Sequence, residues 1–148
     1  HLKNKGLLLV GIFIMAYSYL ASPYTHENKA IMDLRVKCTT HAAGKLMQTN
    51  KEGVFSPITY IHDINTMGYL KKWTYADSLK FNKEILSGAS RLYVLTLQGW
   101  GLNDGVEQEI EFAKMKKPHK IPIYFLEPEI WVPEWPLKYL TDMEKKYE

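Results

Sequence analysis

The sequence predicts a three-layer α/β/α sandwich around a parallel, flavodoxin-like or Rossmann-like sheet of four to five strands. Two observations point there. Short apolar runs rich in β-branched and aromatic residues, such as Leu92 to Leu97 and Lys120 to Leu126, read as strands buried on both faces. These runs alternate with longer stretches of helical periodicity, the pattern of right-handed βαβ units. At 148 residues and 46% hydrophobic, the chain has enough material for one core and no need of staples.

The elements follow in order. Residues 1–14 carry Lys3 and Lys5 ahead of an apolar run too short to span a bilayer. They resemble a signal peptide, but no small-x-small cleavage site follows. Met15 has the look of an initiator, so 1–14 is read as an N-terminal extension and 15–148 as a single domain. The first strand is expected at Ala16 to Leu20, ended by Ser22-Pro23. A helix over Glu27 to Thr49 presents Ile31, Leu34, Cys38, Ala42 and Leu46 to the core, with Asn50 and Gly53 as stop signals. Val54 to Ser56 is a short second strand. Ile58 to Met67 reads as an irregular loop carrying His62 and Asp63, which either contact a ligand, pair with each other, or simply lie on the surface. A helix over Tyr69 to Ser87 buries Leu79, Phe81, Ile85 and Leu86, with Asn82 near the middle of that face and Asp77 roughly 130° away. After the strand at 91–97 and the helix that follows it comes a last strand at Lys120 to Leu126. A short final helix starts near Pro136.

Chemistry concentrates in Leu92 to Ala113. Gly99 and Gly101 break the strand. Asn103 and Asp104 are helix-capping residue types, and Gly105 lets backbone approach closely. In the helix that begins near Asp104, Val106, Ile110 and Ala113 form one stripe. Glu109 falls within roughly 50° of its centre, while Glu107 and Glu111 point away. Glu109 therefore either sits half-exposed on the shoulder of an amphipathic helix or is a carboxylate buried beside a strand's carboxyl end, where open α/β sheets bind ligands.

Tyr19-Leu20-Ala21-Ser22-Pro23-Tyr24, Phe55-Ser56-Pro57-Ile58, and Gly99-Trp100 followed by Gly105-Val106 and Glu109 stand in an order and spacing that resemble the nucleoside 2-deoxyribosyltransferase-like superfamily. Within it the chain is most similar to the DUF1937 type of small bacterial and phage proteins. The likeness runs from about Ala16 to Phe125. It implies an N-glycosidic bond enzyme acting on a nucleoside or nucleotide, with Glu109 as nucleophile, Tyr19 orienting it and Asn82 holding a sugar hydroxyl. In such proteins a helix aspartate binds the sugar. Counting back from Ser90 lands on Asn82, whereas the family's aspartate that follows a tryptophan matches Asp77 after Trp73. Ser22, Pro23, Asn103, Asp104 and Gly105 fall at the ligand-binding loops. Arg35 matches a recurring arginine, although an arginine snorkelling over a helix surface explains it equally. A nucleotide-binding or sensing module without turnover is the alternative, motivated by Asn at position 82. A structural subunit is a weaker third.

Composition narrows the partners. Nineteen Lys and Arg against sixteen Asp and Glu give a net charge of only +3, and no basic cluster with interleaved aromatics marks a nucleic-acid groove. Nucleic acid and membrane are not expected partners. One cysteine and five scattered histidines argue against disulfides and metal, and no dinucleotide or P-loop fingerprint calls for a cofactor. A cytoplasmic location is expected. The proline-rich tail with Trp131 and Trp135 predicts packing against the domain's own edge or a second subunit, hence a homo-oligomer. Backbone donors at the Asn103–Gly105 helix start, facing Ser22, favour a 5'-monophosphate; Asp104 opposes it.

Overall fold

A computed structural model describes residues 16–147, so the extension read at 1–14 lies outside the described residues. Four parallel strands form one sheet: β1 (Tyr17–Ala21), β2 (Gly53–Phe55), β3 (Arg91–Leu95) and β4 (Ile123–Leu126), in the spatial order β2-β1-β3-β4. Helices α1 (Lys29–Asn50), α2 (Pro57–Thr66), α3 (Tyr75–Ser87), α4 (Asp104–Met115), α5 (Pro128–Trp131) and α6 (Glu134–Lys145) complete the α/β sandwich.

Two cores flank the sheet because successive strand residues point to opposite faces. Leu20, Leu95 and Leu126 join the α1 stripe Ile31, Cys38, Ala42 and Leu46, together with Leu140 of α6. Tyr19, Ala21, Leu92 and Val94 face the other way, toward Leu86 of α3 and Val106 and Ala113 of α4. The packing expected of Cys38 is found, and burial pushes its thiol up to about 12.

Several boundaries differ from the sequence reading; the strand read at 91–97 ends at Leu95, where the Leu97 N–H turns back to the Leu95 carbonyl at 2.9 Å. The segment read as a loop after β2 is helical: Ser56 accepts a hydrogen bond from the Thr59 N–H as N-cap, and Pro57 occupies the first helical position with no donor to lose. The helix expected from Tyr69 starts at Tyr75, since Thr74 and Asp77 form a capping box and Gly68 adopts φ +86°. The last strand begins at Ile123 rather than Lys120, because Pro122 has no N–H for the ladder. At the C-terminal end Trp135 departs from helical geometry (φ −96°, ψ 126°), so the regular part of α6 begins at Pro136. Among the described residues no helix is long and apolar enough to cross a membrane.

Candidate functional site

The parallel strands all end at the same sheet edge. β1 gives way there to Ser22, the turn after β3 leads into α4, and α2 and the segment before α3 wall off a cleft of about 490 Å³. Glu109 lies on the inner face of α4, 5% exposed and among the residues lining this cleft. Tyr19, wholly buried on β1, donates its hydroxyl to the Glu109 carboxylate. Burial pushes Glu109 up to about 7, and the Tyr19 hydrogen bond pulls partly the other way by favouring the charged form. Tyr19 itself is held well above its ordinary value, first by burial and then by the neighbouring carboxylate, so it stays a donor. The result is a carboxylate with a fixed orientation that changes ionisation near neutrality.

The remaining wall comes from both halves of the chain. Asn103 caps α4, its side chain accepting from the Val106 N–H at 3.0 Å. Gly105 makes room for that cap: a Cβ there would stand 3.2 Å from Asn103 Oδ1. Asn82 reaches the cleft from α3, and Ser22 lines it while accepting from Thr39 at 3.0 Å. Asp104 lies at the mouth and accepts the hydroxyl of Tyr75, the first residue of α3, so the two helix starts are tied across the opening. Partial burial and then Asp104 push the Tyr75 hydroxyl up to about 12. A narrower, apolar annex of about 210 Å³ continues from the cleft between α2 and α3, bounded by Tyr60, Ile64, Leu70, Trp73 and Phe81.

Glu109, Asn82, Ser22, Asn103, Asp104 and Gly105 thus meet in one cleft, with Tyr19 directly behind. Four expected residues do not join them. Asp77 is spent on its own helix, its carboxylate accepting the Thr74 N–H at 2.9 Å, which lowers its pKa. Between the two candidates for the sugar contact, only Asn82 reaches the cleft. Pro23 is buried beside the wall. His62 turns to the other side of α2, pairing with Asp33 at 2.8 Å and Tyr24 at 2.7 Å rather than with Asp63. Arg35 is 7% exposed, donates to the carbonyls of Thr25 (3.0 Å), Tyr24 and Gln98 (3.4 Å each), and pairs with Glu144 at 3.4 Å. It fixes the loop after β1 and the turn after β3 from behind. Gly99, at φ +88°, lies 3.7 Å from the same guanidinium if given a Cβ.

The sequence marks Trp73 only as the tryptophan ahead of Asp77 and does not mark Tyr75 at all; both line the cleft. The Thr74-x-x-Asp77 capping box would have located them, since it sets the helix start and so brings Tyr75 to the cleft mouth. Among the described residues no group of three or more His, Cys, Asp or Glu side chains is placed to hold a metal.

A family profile described as a domain of unknown function, DUF1937, matches residues 16–124. The chain belongs to the DUF1937 family. The matched span contains β1 through the first part of β4, and with them every residue of the cleft named above. No curated protein matches the chain. For this DUF1937 member the cleft is therefore read from its own geometry.

Proposed function

We propose that this protein breaks the N-glycosidic bond of a nucleoside or nucleoside 5'-monophosphate, by hydrolysis or by transfer of the deoxyribosyl group, with Glu109 as nucleophile. The observation that carries the reading is the buried Glu109 carboxylate, oriented by Tyr19, on the wall of a cleft large enough for a nucleoside. The resemblance of the Tyr19, Ser56-Pro57 and Gly105-to-Glu109 motifs to the nucleoside 2-deoxyribosyltransferase-like superfamily supports it.

In this mechanism a Glu109 oxygen bonds to the anomeric carbon while the carbon–nitrogen bond breaks and the base leaves with the electron pair, taking up a proton from solvent that the incoming water or second base returns in the next step. Water, or a second base in transfer, then displaces Glu109 from the glycosyl ester. The negative carboxylate stabilises the oxocarbenium-like charge in both steps. Tyr19 keeps the attacking oxygen aimed, and Asn82 offers its amide to a sugar hydroxyl.

Among the described residues none that lines the cleft is Lys or Arg, and Asp104 stands at its mouth. Repulsion from Asp104 without a compensating cation disfavours a phosphate there, so the unphosphorylated nucleoside is the better substrate. This reverses the preference drawn from the helix start alone. The lone buried thiol and a small-metabolite substrate agree with a cytoplasmic setting.

A second reading, binding without turnover, is favoured by one observation: position 82 supplies an amide to the cleft instead of a carboxylate. Incubation with a panel of nucleosides and 5'-monophosphates, followed by chromatography for free base, separates the two. Base release by the wild type and none by Glu109→Gln supports the enzyme. Saturable binding with no release supports the binding module.

A further inference from the structure

We propose that a second copy of this chain adds to the sheet along β4, the two β4 strands pairing antiparallel about a two-fold axis at Tyr124. Among the described residues β4 pairs only with β3, leaving its outer edge open. Leu92 donates to the Pro122 carbonyl at 2.8 Å and Thr96 to the Leu126 carbonyl at 3.1 Å, so the even-numbered residues of β4 face β3. By the alternation of a parallel ladder, the N–H and C=O groups of Ile123 and Phe125 face outward. A two-fold axis at Tyr124 sets Ile123 of each copy against Phe125 of the other, and that pairing satisfies these outward groups.

Side chains at this edge suit the same occupant. Tyr124 is 50% and Phe125 54% exposed, backed by the rings of Tyr93 and Trp100, with centroids 5.6 and 5.3 Å away. The strand itself, Ile-Tyr-Phe-Leu, carries no charge or proline of the kind that guards a solvent-facing edge. At the opposite edge β2 is only three residues long, and Glu52 beside it is engaged by Ser18, by Ser90 at 3.1 Å and by Arg91 at 3.3 Å.

Charge fixes the choice of a second copy and its direction. Lysines 116, 117 and 120 lead into β4, and Glu127 and Glu129 follow it. Lys120, Glu127 and Glu129 are exposed, and none forms an ion pair with another described residue. Antiparallel pairing of the two β4 strands brings Lys120, three residues before the strand of one copy, toward Glu127, the residue that follows the strand of the other, with Glu129 in the first turn of the adjoining α5. The two-fold axis repeats the match on the far side. In the tryptophan tail, Lys45 lies 5.4 Å above the Trp131 ring and Lys37 5.1 Å above Trp135, while the tail offers no open strand edge for pairing.

Sedimentation equilibrium of the full chain tests the proposal, with circular dichroism reporting the fold of each variant. The wild type should give a species of about twice 17.2 kDa at micromolar concentration. Phe125→Pro removes an outward N–H while sparing the ladder to β3, and should be monomeric. Lys120→Glu should weaken association by about tenfold or more, and Lys120→Glu/Glu127→Lys/Glu129→Lys should restore it. If Phe125→Pro does not fold, the charge series decides alone. A wild type that stays at 17.2 kDa overturns the proposal, as does a dimer indifferent to Lys120→Glu or one that the triple reversal fails to restore.

Discussion

Replacing Glu109 by glutamine should change how the protein's stability depends on pH, whether or not substrate is ever found. An ordinary glutamate ionises near 4.5, and Glu109 in the fold near 7, because burial penalises its charge. Between these values the folded state holds a proton that the unfolded chain has released. Folding stability therefore falls as pH rises through this window and levels off once Glu109 is ionised in both states. At about 1.4 kcal/mol per pH unit, the wild type loses about 3 kcal/mol between pH 4.5 and pH 8 from this group. Glutamine cannot ionise. It can still accept the Tyr19 hydroxyl, although its buried amide donors cost about 1 to 3 kcal/mol if left unpaired. Whatever the absolute stability of Glu109→Gln, the difference between the two proteins should shift toward the variant by about 3 kcal/mol across the window. Urea unfolding of both proteins at intervals from pH 4.5 to pH 8 measures it. Parallel stability curves would refute the reasoning, since Glu109 would then ionise as an exposed glutamate does.

Other perturbations follow from the same geometry. Tyr19→Phe removes the hydrogen bond that favours ionised Glu109, so the acidic limb of the kcat/KM profile should move to higher pH, and activity at pH 7 should fall by about tenfold or more. A profile unmoved by this change would detach Tyr19 from the nucleophile. Asp104→Ser removes the negative charge at the cleft mouth and should raise the ratio of kcat/KM for a 5'-monophosphate over its nucleoside, from below one in the wild type, by about tenfold. Steady-state assays on the matched pair of substrates read this directly. Arg35→Met removes the donors to the Tyr24, Thr25 and Gln98 carbonyls and the ion pair with Glu144, freeing two loops, and should cost about 3 kcal/mol and lower Tm by roughly 10 °C in a thermal melt.

The parts that were legible in the sequence are those where one physical signal dominates. Periodicity alone places the α1 core stripe from Ile31 to Leu46, because burial of an amphipathic helix is written in its spacing, whereas for Glu109 it gives only the core side of the helix and leaves a half-exposed shoulder and full burial both open. Helix geometry likewise chose Asn82 over Asp77 for the cleft. The failures arose where one residue type carries two meanings. Ser56-Pro57 ends a strand, and it also begins α2. Asp77 looked available for a ligand, yet its first duty is to cap the helix it belongs to. His62 and Arg35 could not be assigned from the chain itself, since their partners Asp33, Tyr24, Gln98 and Glu144 are brought to them only by the packing of α1 against α2 and α6. The Tyr75 to Asp104 tie depends in the same way on two helix starts meeting across the cleft.

Covalent capture tests the central role of Glu109 most directly. A nucleoside whose sugar carries fluorine at the 2' position should release its base once and leave the glycosyl ester in place, since the electron-withdrawing substituent destabilises the oxocarbenium-like transition state and hydrolysis of the ester by water becomes slower than its formation. Intact-protein mass spectrometry should then show a single added fluorodeoxyribosyl group, and peptide mapping should place it on Glu109, with no adduct on Glu109→Gln. Base release without any adduct, or an adduct on another residue, would contradict the assignment of Glu109 as nucleophile.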